Sequence, residues 1–338
     1  ICSLHSIEDE FKEDISRYVI KHHHLSNTEY ISKDEDYRKE QAELLIENWD
    51  SGIIVTTFVQ LLETIIGDRN RMLKKFHVLT NSIILLDEVQ AIPLEYYKLV
   101  DYVFSKLTEI FDCRIILMTA TKPMIFNKTQ ELIRDPDYYF SLLKRTCIYP
   151  EMNKISVNAF CDKFINNMDK NKSYLIVANT IYQSLEIFVE LSKTIPSEKL
   201  YYLSTNLLPI HRKEILSKLS KIMRDKKEKI ILVSTQVVEA GVDLDFDEVY
   251  RDIAPLDSII QCAGRCNRNY SLELGRVNVV YMVNDRGKSF GQKVYKNVVI
   301  KIVEDLLNCV DKIDESQYNH LIAQYYNIVC NGKISMQE

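Results

Sequence analysis

The stretch IILLDEVQ, residues 83–90, places four apolar residues directly before two neighbouring carboxylates. An apolar run of this kind is typical of a strand that is buried on both faces inside a parallel sheet. Asp87 and Glu88 follow that strand at once, and a carboxylate is costly to remove from water without a partner. We therefore expect the strand either to emerge into solvent at Asp87 or to end beside a positive group.

The same pattern recurs along the 338-residue chain, because short apolar runs alternate with longer stretches of helical periodicity. Most runs are followed by a polar or small residue and then by a helical pattern, which is typical of βαβ units. The predicted fold class is therefore α/β with mainly parallel sheets. The pattern loosens between Thr121 and about Lys154, and we place a domain boundary near residue 150. The predicted strands begin at residues 53, 83, 114, 174, 200, 230, 248 and 276.

The composition is that of a soluble globular protein, with 46% hydrophobic and 27% charged residues. The net charge of −5 gives no whole-chain argument for a nucleic-acid partner, although a local basic groove would not show in that sum. The eight cysteines are scattered without framework spacing, which favours reduced thiols and a cytoplasmic location. No apolar run approaches the roughly 20 residues that cross a membrane, so no membrane contact is expected. The chain starts without a methionine, which suggests a fragment.

Small polar residues collect where several predicted strands end, in the stretches VTT, MTAT, VANT, LSTN and VSTQ. Ligands of open α/β sheets bind at the carboxyl ends of the strands, and such side chains commonly contact a sugar-phosphate backbone. The alternative is that these residues end strands and cap the helices that follow. Capping is the better explanation for any single stretch. Five such stretches, each at the end of a predicted strand, favour a binding surface along that edge of the sheets.

The carboxylates after the apolar run also have two interpretations. One carboxylate at a strand end can hold Mg²⁺, which keeps several waters and takes only one or two protein carboxylates. The other can polarise a water for attack on a phosphate. The alternative is an acidic N-cap for a helix that starts near AIPLEYY.

The second half of the chain carries residues that suit phosphate chemistry, in VSTQVVEAGVDLDFDEVY (233–250) and DSIIQCAGRCNR (257–268). Gly241 allows a close approach of the backbone to a ligand, and Asp243 can accept hydrogen bonds from a ribose. Arg265 and Arg268 are three residues apart, so a helix would place both on one face, with Gln261 one turn earlier. The alternative is an ordinary solvated arginine face.

The stretches LLDEVQ, LMTAT, VSTQVVEAGVDLDFDEVY and QCAGRCNR, in this order, resemble motifs II, III, V and VI of superfamily 2 helicases. With TTFVQLLET ahead of motif II and AGRCNR at the end, the chain most resembles the signature helicase-nuclease of type I CRISPR systems. The resemblance runs from about Ser6 to about Val283. It implies two RecA-like domains, the first truncated at its N-terminus: residues 1–150 with motifs Ia to III, and residues 151–290 with motifs IV to VI. Residues 291–338 would form a C-terminal helical extension.

The resemblance also implies roles for individual residues. Asp87 would bind Mg²⁺ and Glu88 would activate water, while Thr119 and Thr121 would couple the nucleotide state to strand binding. The residues that would complete the nucleotide site are Gly241, Asp243, Gln261, Arg265 and Arg268, and the two arginines would act with Glu88 in catalysis. The residues that would track the DNA backbone are Thr56, Thr57, Gln60, Thr180 and Thr235.

Two departures limit the expected activity of this chain. No Walker A loop, G-x-x-x-x-G-K-[ST], occurs in the sequence, because the GKS at 287–289 has Met282 where the first glycine should be. The family's nuclease motif is absent as well, since no His-Asp pair occurs. We expect an ATP-dependent DNA translocase core that is inactive alone, with single-stranded DNA, an RNA-guided CRISPR surveillance complex and a nuclease domain or subunit as partners. The alternative is a nucleic-acid-binding module that does not hydrolyse ATP.

Overall fold

A computed structural model of the chain describes residues 19–22, 46–92, 96–119, 129–225, 228–239 and 241–331. The chain divides into two compact units, Ile1–Ala120 and Thr121–Glu338. The predicted α/β class with mainly parallel strands is confirmed. The boundary predicted near residue 150 is wrong, because a strand of the second unit runs through that position and the division lies earlier.

The first unit is built from short parallel strand pairs and the helices between them. Its described strands are β1 (Val19–His22), β2 (Ile53–Thr56), β3 (Ile83–Leu86) and β4 (Arg114–Leu117). Its described helices are α1 (Phe58–Ile66), α2 (Asn70–Phe76) and α3 (Tyr97–Ile110), with 3₁₀ turns at His77–Leu79 and Val89–Ala91. β1 pairs with β2 and β3 pairs with β4, both in parallel.

Strand β3, which carries the apolar run, is covered on one face only within the described residues. Ile84 and Leu86 are buried, whereas Ile83 and Leu85 are 66% and 61% exposed. This alternation is the period of two that a strand shows when a single face is packed. The prediction of a strand buried on both faces is therefore wrong for the described part of this unit.

The second unit contains a seven-stranded sheet in the order β11-β5-β10-β9-β6-β8-β7, in which every neighbouring pair is parallel except β11 with β5. Its strands are β5 (Thr146–Ser156), β6 (Tyr174–Val177), β7 (Leu200–Leu203), β8 (Ile231–Ser234), β9 (Glu248–Asp252), β10 (Gly275–Val283) and β11 (Ile313–Asp314). Its described helices are α4 (Pro136–Leu142), α5 (Val157–Asn167), α6 (Ile181–Ser192), α7 (Pro209–Asp225), α8 (Leu256–Ala263), α9 (Gly291–Val294), α10 (Asn297–Leu307) and α11 (Tyr318–Asn331). Two 3₁₀ turns complete it, at Gln236–Val238 and Glu315–Gln317.

Strand β5 is the long element that the sequence pattern did not predict. It spans 11 residues and contains Pro150, a residue that removes a backbone donor and is normally confined to sheet edges or bulges. β11 pairs with β5 only at Cys147 and Ile148, so Pro150 lies where β11 no longer covers the strand. The pairing of β5 with β10 also shifts register just beyond Pro150. A proline is therefore tolerated here.

Helix starts and the core of the second unit follow from local chemistry. Ser156 caps α5 by accepting from the backbone N–H of Ala159, and the interior face of α5 buries Phe160 and Phe164. Phe164 packs edge-to-face against Tyr174 of β6 at a centroid distance of 5.2 Å. The described residues 291–331 are largely helical, but they belong to this unit, because β11 extends its sheet. No described helix is long and apolar enough to span a membrane.

Candidate functional site

In the first unit, the two carboxylates emerge where β3 ends. Asp87 is exposed, and its Oδ1 accepts a hydrogen bond from the backbone N–H of Glu88 at 3.0 Å. Glu88 adopts the left-handed conformation with φ 54°, which turns the chain sharply into the 3₁₀ turn Val89–Ala91. The Glu88 side chain makes no capping hydrogen bond to that turn, and α3 has Tyr96 as its N-cap, so neither carboxylate caps the helix near AIPLEYY. Of the two outcomes expected for the strand end, emergence into solvent is observed.

Glu88 is held in place by a short hydrogen-bond chain. The Gln90 amide nitrogen donates to the Glu88 carboxylate, and the Thr119 hydroxyl donates to the Gln90 amide oxygen. Gln90 is only 4% exposed, so the chain passes through the interior of the unit. Glu88 and Thr119 are thus brought together, and the residue that joins them is Gln90, the last residue of the LLDEVQ stretch, which is not among the predicted site residues. Thr121, predicted to share the role of Thr119, lies outside the described residues.

The donor set at this strand end suits magnesium. Mg²⁺ takes one or two carboxylates and completes its octahedron with water and phosphate oxygens. Asp87 offers an exposed carboxylate of this kind. Within the described ranges no group of three or more His, Cys, Asp or Glu could hold a metal, so a preformed cage is excluded there. An ion shared between one carboxylate and a phosphate remains compatible with these residues.

In the second unit, Gly241 and Asp243 lie in the loop that follows β8. Gly241 has φ 70°, a conformation that a side chain would strain, and it is exposed as a close backbone approach requires. The Asp243 side chain is 90% exposed and its Oδ1 lies 3.1 Å from the Arg268 Nε. The backbone N–H of Arg268 also donates to Asp245 Oδ1 at 2.7 Å. The structure therefore brings Asp243 and Arg268 together.

No single helix carries both arginines, so the shared face that a helix would have given them is not formed. α8 ends at Ala263 and Gly264 is its C-cap, so Arg265 and Arg268 lie in the loop beyond it. Arg265 is 9% exposed, and its guanidinium donates from Nε to the Val238 carbonyl at 3.0 Å and from Nη2 to the Glu239 carbonyl at 2.6 Å. Arg265 thus clamps the backbone after β8, while Arg268 stays 42% exposed at the surface. Gln261 is half-buried on α8.

The residues predicted to contact DNA make local bonds in this structure. Thr57 caps α1 by accepting from the N–H of Gln60, and Thr180 caps α6 by accepting from that of Gln183. Thr56 donates its hydroxyl to the His22 carbonyl at 2.9 Å. The capping interpretation thus holds at two strand ends. Thr235 directly follows β8 and is only 3% exposed, so a DNA strand cannot reach it in this conformation.

A basic groove that sequence reasoning missed lies between α7 and the loop after β8. Its cavity measures about 460 Å³ and is lined by Arg212, Lys213 and the exposed Gly241, among others. A second concavity continues along the same helix past Lys213 to Lys221. The Arg212 Nε is buried and has no hydrogen-bond partner within the described residues. Two carboxylates, Glu214 and Asp243, also line these concavities.

The carboxyl edge of the sheet also holds a buried acid. Asp252, at the end of β9, accepts hydrogen bonds from Asn179 Nδ2 at 2.7 Å and Gln183 Nε2 at 2.9 Å. Backbone N–H groups of Ile253 and Met282 donate to its other oxygen. Complete burial nevertheless raises the pKa of Asp252 to about 6, because desolvation of the charged form outweighs these bonds.

The fold is α/β with RecA-like domains, and the candidate residues Asp87, Glu88 and Thr119 follow the carboxyl ends of parallel strands. Residues 170–271 match the C-terminal model of the CRISPR-associated nuclease/helicase Cas3. The CRISPR-associated nuclease/helicase Cas3 of Haloferax volcanii is 26% identical over 355 residues, covering 75% of this chain and 38% of its own length. These matches make the chain similar to Cas3 helicase sequences over most of its length.

Solved structures agree in fold. A T. fusca Cas3 structure with ATP covers 83% of this chain and 39% of its own, with a TM-score of 0.64 and 16% identity. A chain of a CRISPR RNA-guided surveillance complex in its pre-nicking state covers 86% of this chain and 42% of its own, with a TM-score of 0.67 and 16% identity. The present chain thus spans about two fifths of the length of these relatives.

Proposed function

We propose that this chain forms the helicase core of a Cas3-type protein, which uses ATP hydrolysis to move along single-stranded DNA and unwind target DNA for degradation. The observation that carries the proposal is the strand end at Asp87 and Glu88, where one carboxylate is exposed and the other is fixed by Gln90 to Thr119. Phosphoryl transfer needs positioning and charge stabilisation more than covalent chemistry, and this arrangement supplies positioning.

The geometry supports a role for each of these residues. Asp87 would hold Mg²⁺, which neutralises phosphate charge when it is bound. Glu88 would orient and polarise the attacking water, and the hydrogen bond from Gln90 keeps its carboxylate from rotating away. Because Thr119 donates to Gln90, a shift at the end of β4 would move Glu88 as well, which is a physical route for coupling.

Arg268 is the arginine that suits the transferring phosphate. Its present partner, Asp243, forms an exposed ion pair, and such pairs contribute little to stability. A nucleotide phosphate can therefore take the place of Asp243 and leave that carboxylate to the ribose. Arg265, by contrast, is engaged with two backbone carbonyls, so we assign it to positioning of the loop and not to direct contact with ATP.

Single-stranded DNA would bind through the basic groove in addition to the strand ends. Arg212, Lys213 and Lys221 present positive charge along α7, and cations of this kind bind phosphates and release counterions. Thr56, Thr57, Gln60 and Thr180 lie at strand ends and helix starts and keep backbone-contact roles in the proposal. The Cas3 relatives support an RNA-guided surveillance complex and a nuclease part as further partners.

The test uses the chain and the complete protein side by side. The chain should bind single-stranded DNA, and the complete protein should hydrolyse ATP faster when that DNA is added. Because no Walker A loop occurs in this chain, the chain alone should hydrolyse ATP negligibly. If the complete protein also bound DNA without any DNA-stimulated hydrolysis, the nucleic-acid-binding module would be the correct function.

A further inference from the structure

Arg251 is a fully buried cation in the middle of the second unit's sheet. It is 0% exposed on β9. Its guanidinium donates to Glu239 Oε1 at 3.0 Å, to Asn179 Oδ1 at 2.8 Å and to Ser258 Oγ at 2.8 Å. These acceptors come from three segments that are distant in sequence: the end of β6, the loop after β8 and the first turns of α8.

The loop after β8 is thereby held from two sides. Arg251 binds the Glu239 side chain, and Arg265 binds the backbone carbonyls of Val238 and Glu239. Ser258 donates to the same Glu239 oxygen at 2.8 Å, which adds the helix α8 to the attachment. Gly241 and Asp243 follow within a few residues, so the position of the Asp243–Arg268 pair depends on this anchorage.

The crevice around Arg251 is closed to ligands. In the strand order of the sheet, the chain continues from β6 towards one edge, where β7 lies, and from β9 towards the other edge, where β10 lies. The crevice between β6 and β9 is therefore the topological switch point. Gly291 fills it so closely that an added Cβ would meet the Ile253 carbonyl oxygen at 2.7 Å. Tyr295 adds its hydroxyl, which accepts from Gln236 Nε2 at 3.2 Å. Arg251 therefore works on its neighbours and not on a bound molecule.

A buried ion pair is a poor means of gaining stability, because apolar side chains of similar volume often stabilise as well or better. What the charged pair supplies is a fixed arrangement of the groups that it bonds. We propose that Arg251 is a positioning residue for ATP hydrolysis: by tying Glu239 to Asn179 and Ser258, it sets the loop from which Asp243 and Arg268 act. The inference rests on the proposed ATPase function.

The experiment separates positioning from stability by replacing the whole pair. In the complete protein, Arg251→Met alone should lower the melting temperature strongly, because Glu239 is left buried without its cationic partner. The double variant Arg251→Met, Glu239→Leu should recover most of that loss. The kcat of this double variant for DNA-stimulated hydrolysis should nevertheless be about tenfold or more below the wild-type value, with KM for ATP little changed. The reason is that the loop with Asp243 and Arg268 is displaced, which affects the reacting geometry.

A matched control uses a second arginine–glutamate pair of the same unit, in which Arg145 Nε donates to Glu315 Oε1 at 2.9 Å. The double variant Arg145→Met, Glu315→Leu should keep the wild-type kcat. A stable Arg251→Met, Glu239→Leu protein with wild-type kcat overturns the inference, whereas a wild-type protein without ATPase activity overturns the proposed function instead. If that double variant does not fold, Arg251→Lys serves, because it keeps the charge and loses the forked donors. A folded Arg251→Lys protein with wild-type kcat also overturns the inference.

Discussion

Removing the positive charge of the α7 groove should weaken DNA binding by a calculable amount. The change is Arg212→Gln, Lys213→Gln and Lys221→Gln, three cations that line the two concavities along this helix. Each phosphate contact on a single strand contributes about 0.7 to the slope of log K against log salt. Three contacts therefore account for a slope change of about 2, and for about a hundredfold in affinity at 0.1 M salt.

The assay is a titration of fluorescent single-stranded DNA with the purified chain over a series of salt concentrations. The control variant removes three lysines that precede β5, β6 and β7 and line neither concavity: Lys144→Gln, Lys170→Gln and Lys199→Gln. Both variants change the net charge by the same three units, from −5 to −8, so a non-specific charge effect would appear in both. Equal affinities and equal salt slopes for the two variants would refute the assignment of the groove.

Three further predictions concern single residues. Arg265→Ala should lower the free energy of unfolding by about 3 kcal/mol, because the Val238 and Glu239 carbonyls lose their donors. Arg268→Ala should change it by less than about 0.5 kcal/mol, because its ion pair is exposed. Equal denaturant midpoints for the two variants would contradict the structural role of Arg265. In the complete protein, Arg268→Ala should reduce ATP turnover by about a thousandfold with DNA affinity retained, and a parallel loss of DNA binding would make Arg268 a DNA contact. Burial raises the pKa of Asp252 from 3.8 to about 6, so between these pH values the folded protein keeps a proton that the unfolded chain releases. The free energy of unfolding should therefore fall by about 3 kcal/mol as the pH rises from about 4 to 6. A ¹³C titration of this carboxyl group with a midpoint near pH 4 would contradict the prediction.

The strands were predictable wherever an apolar run stood alone. β6 and β8 read directly from YLIV and ILVS, because every residue of both strands is buried. β5 was hidden by Pro150, which normally argues against a strand and is accommodated here by a short neighbour and a register shift. The alternation in β3 was equally hidden, since four apolar residues carry no information about which face is covered.

The site residues were predictable as types and less so as geometry. Asp87 and Glu88 lie at a strand end because the apolar run that forms β3 ends at Leu86. The end of α8 was readable from Gly264, a residue that often follows the last turn. The contact of Arg265 with Val238 and Glu239 was not, because it joins residues that only the folded sheet brings together. The cations of α7 are present in the sequence, but a net charge of −5 carries no information about which cations line a common concavity.

The central claim is that Glu88 activates water for ATP hydrolysis that DNA stimulates. The most direct measurement compares ATP turnover and ATP affinity of the complete protein and its Glu88→Gln variant, with single-stranded DNA present. The account predicts that the variant loses turnover and binds ATP as tightly or more tightly, because a negative charge beside the γ-phosphate is removed while the side chain can still accept from Gln90. A Glu88→Gln protein that kept most of its DNA-stimulated turnover would contradict the account.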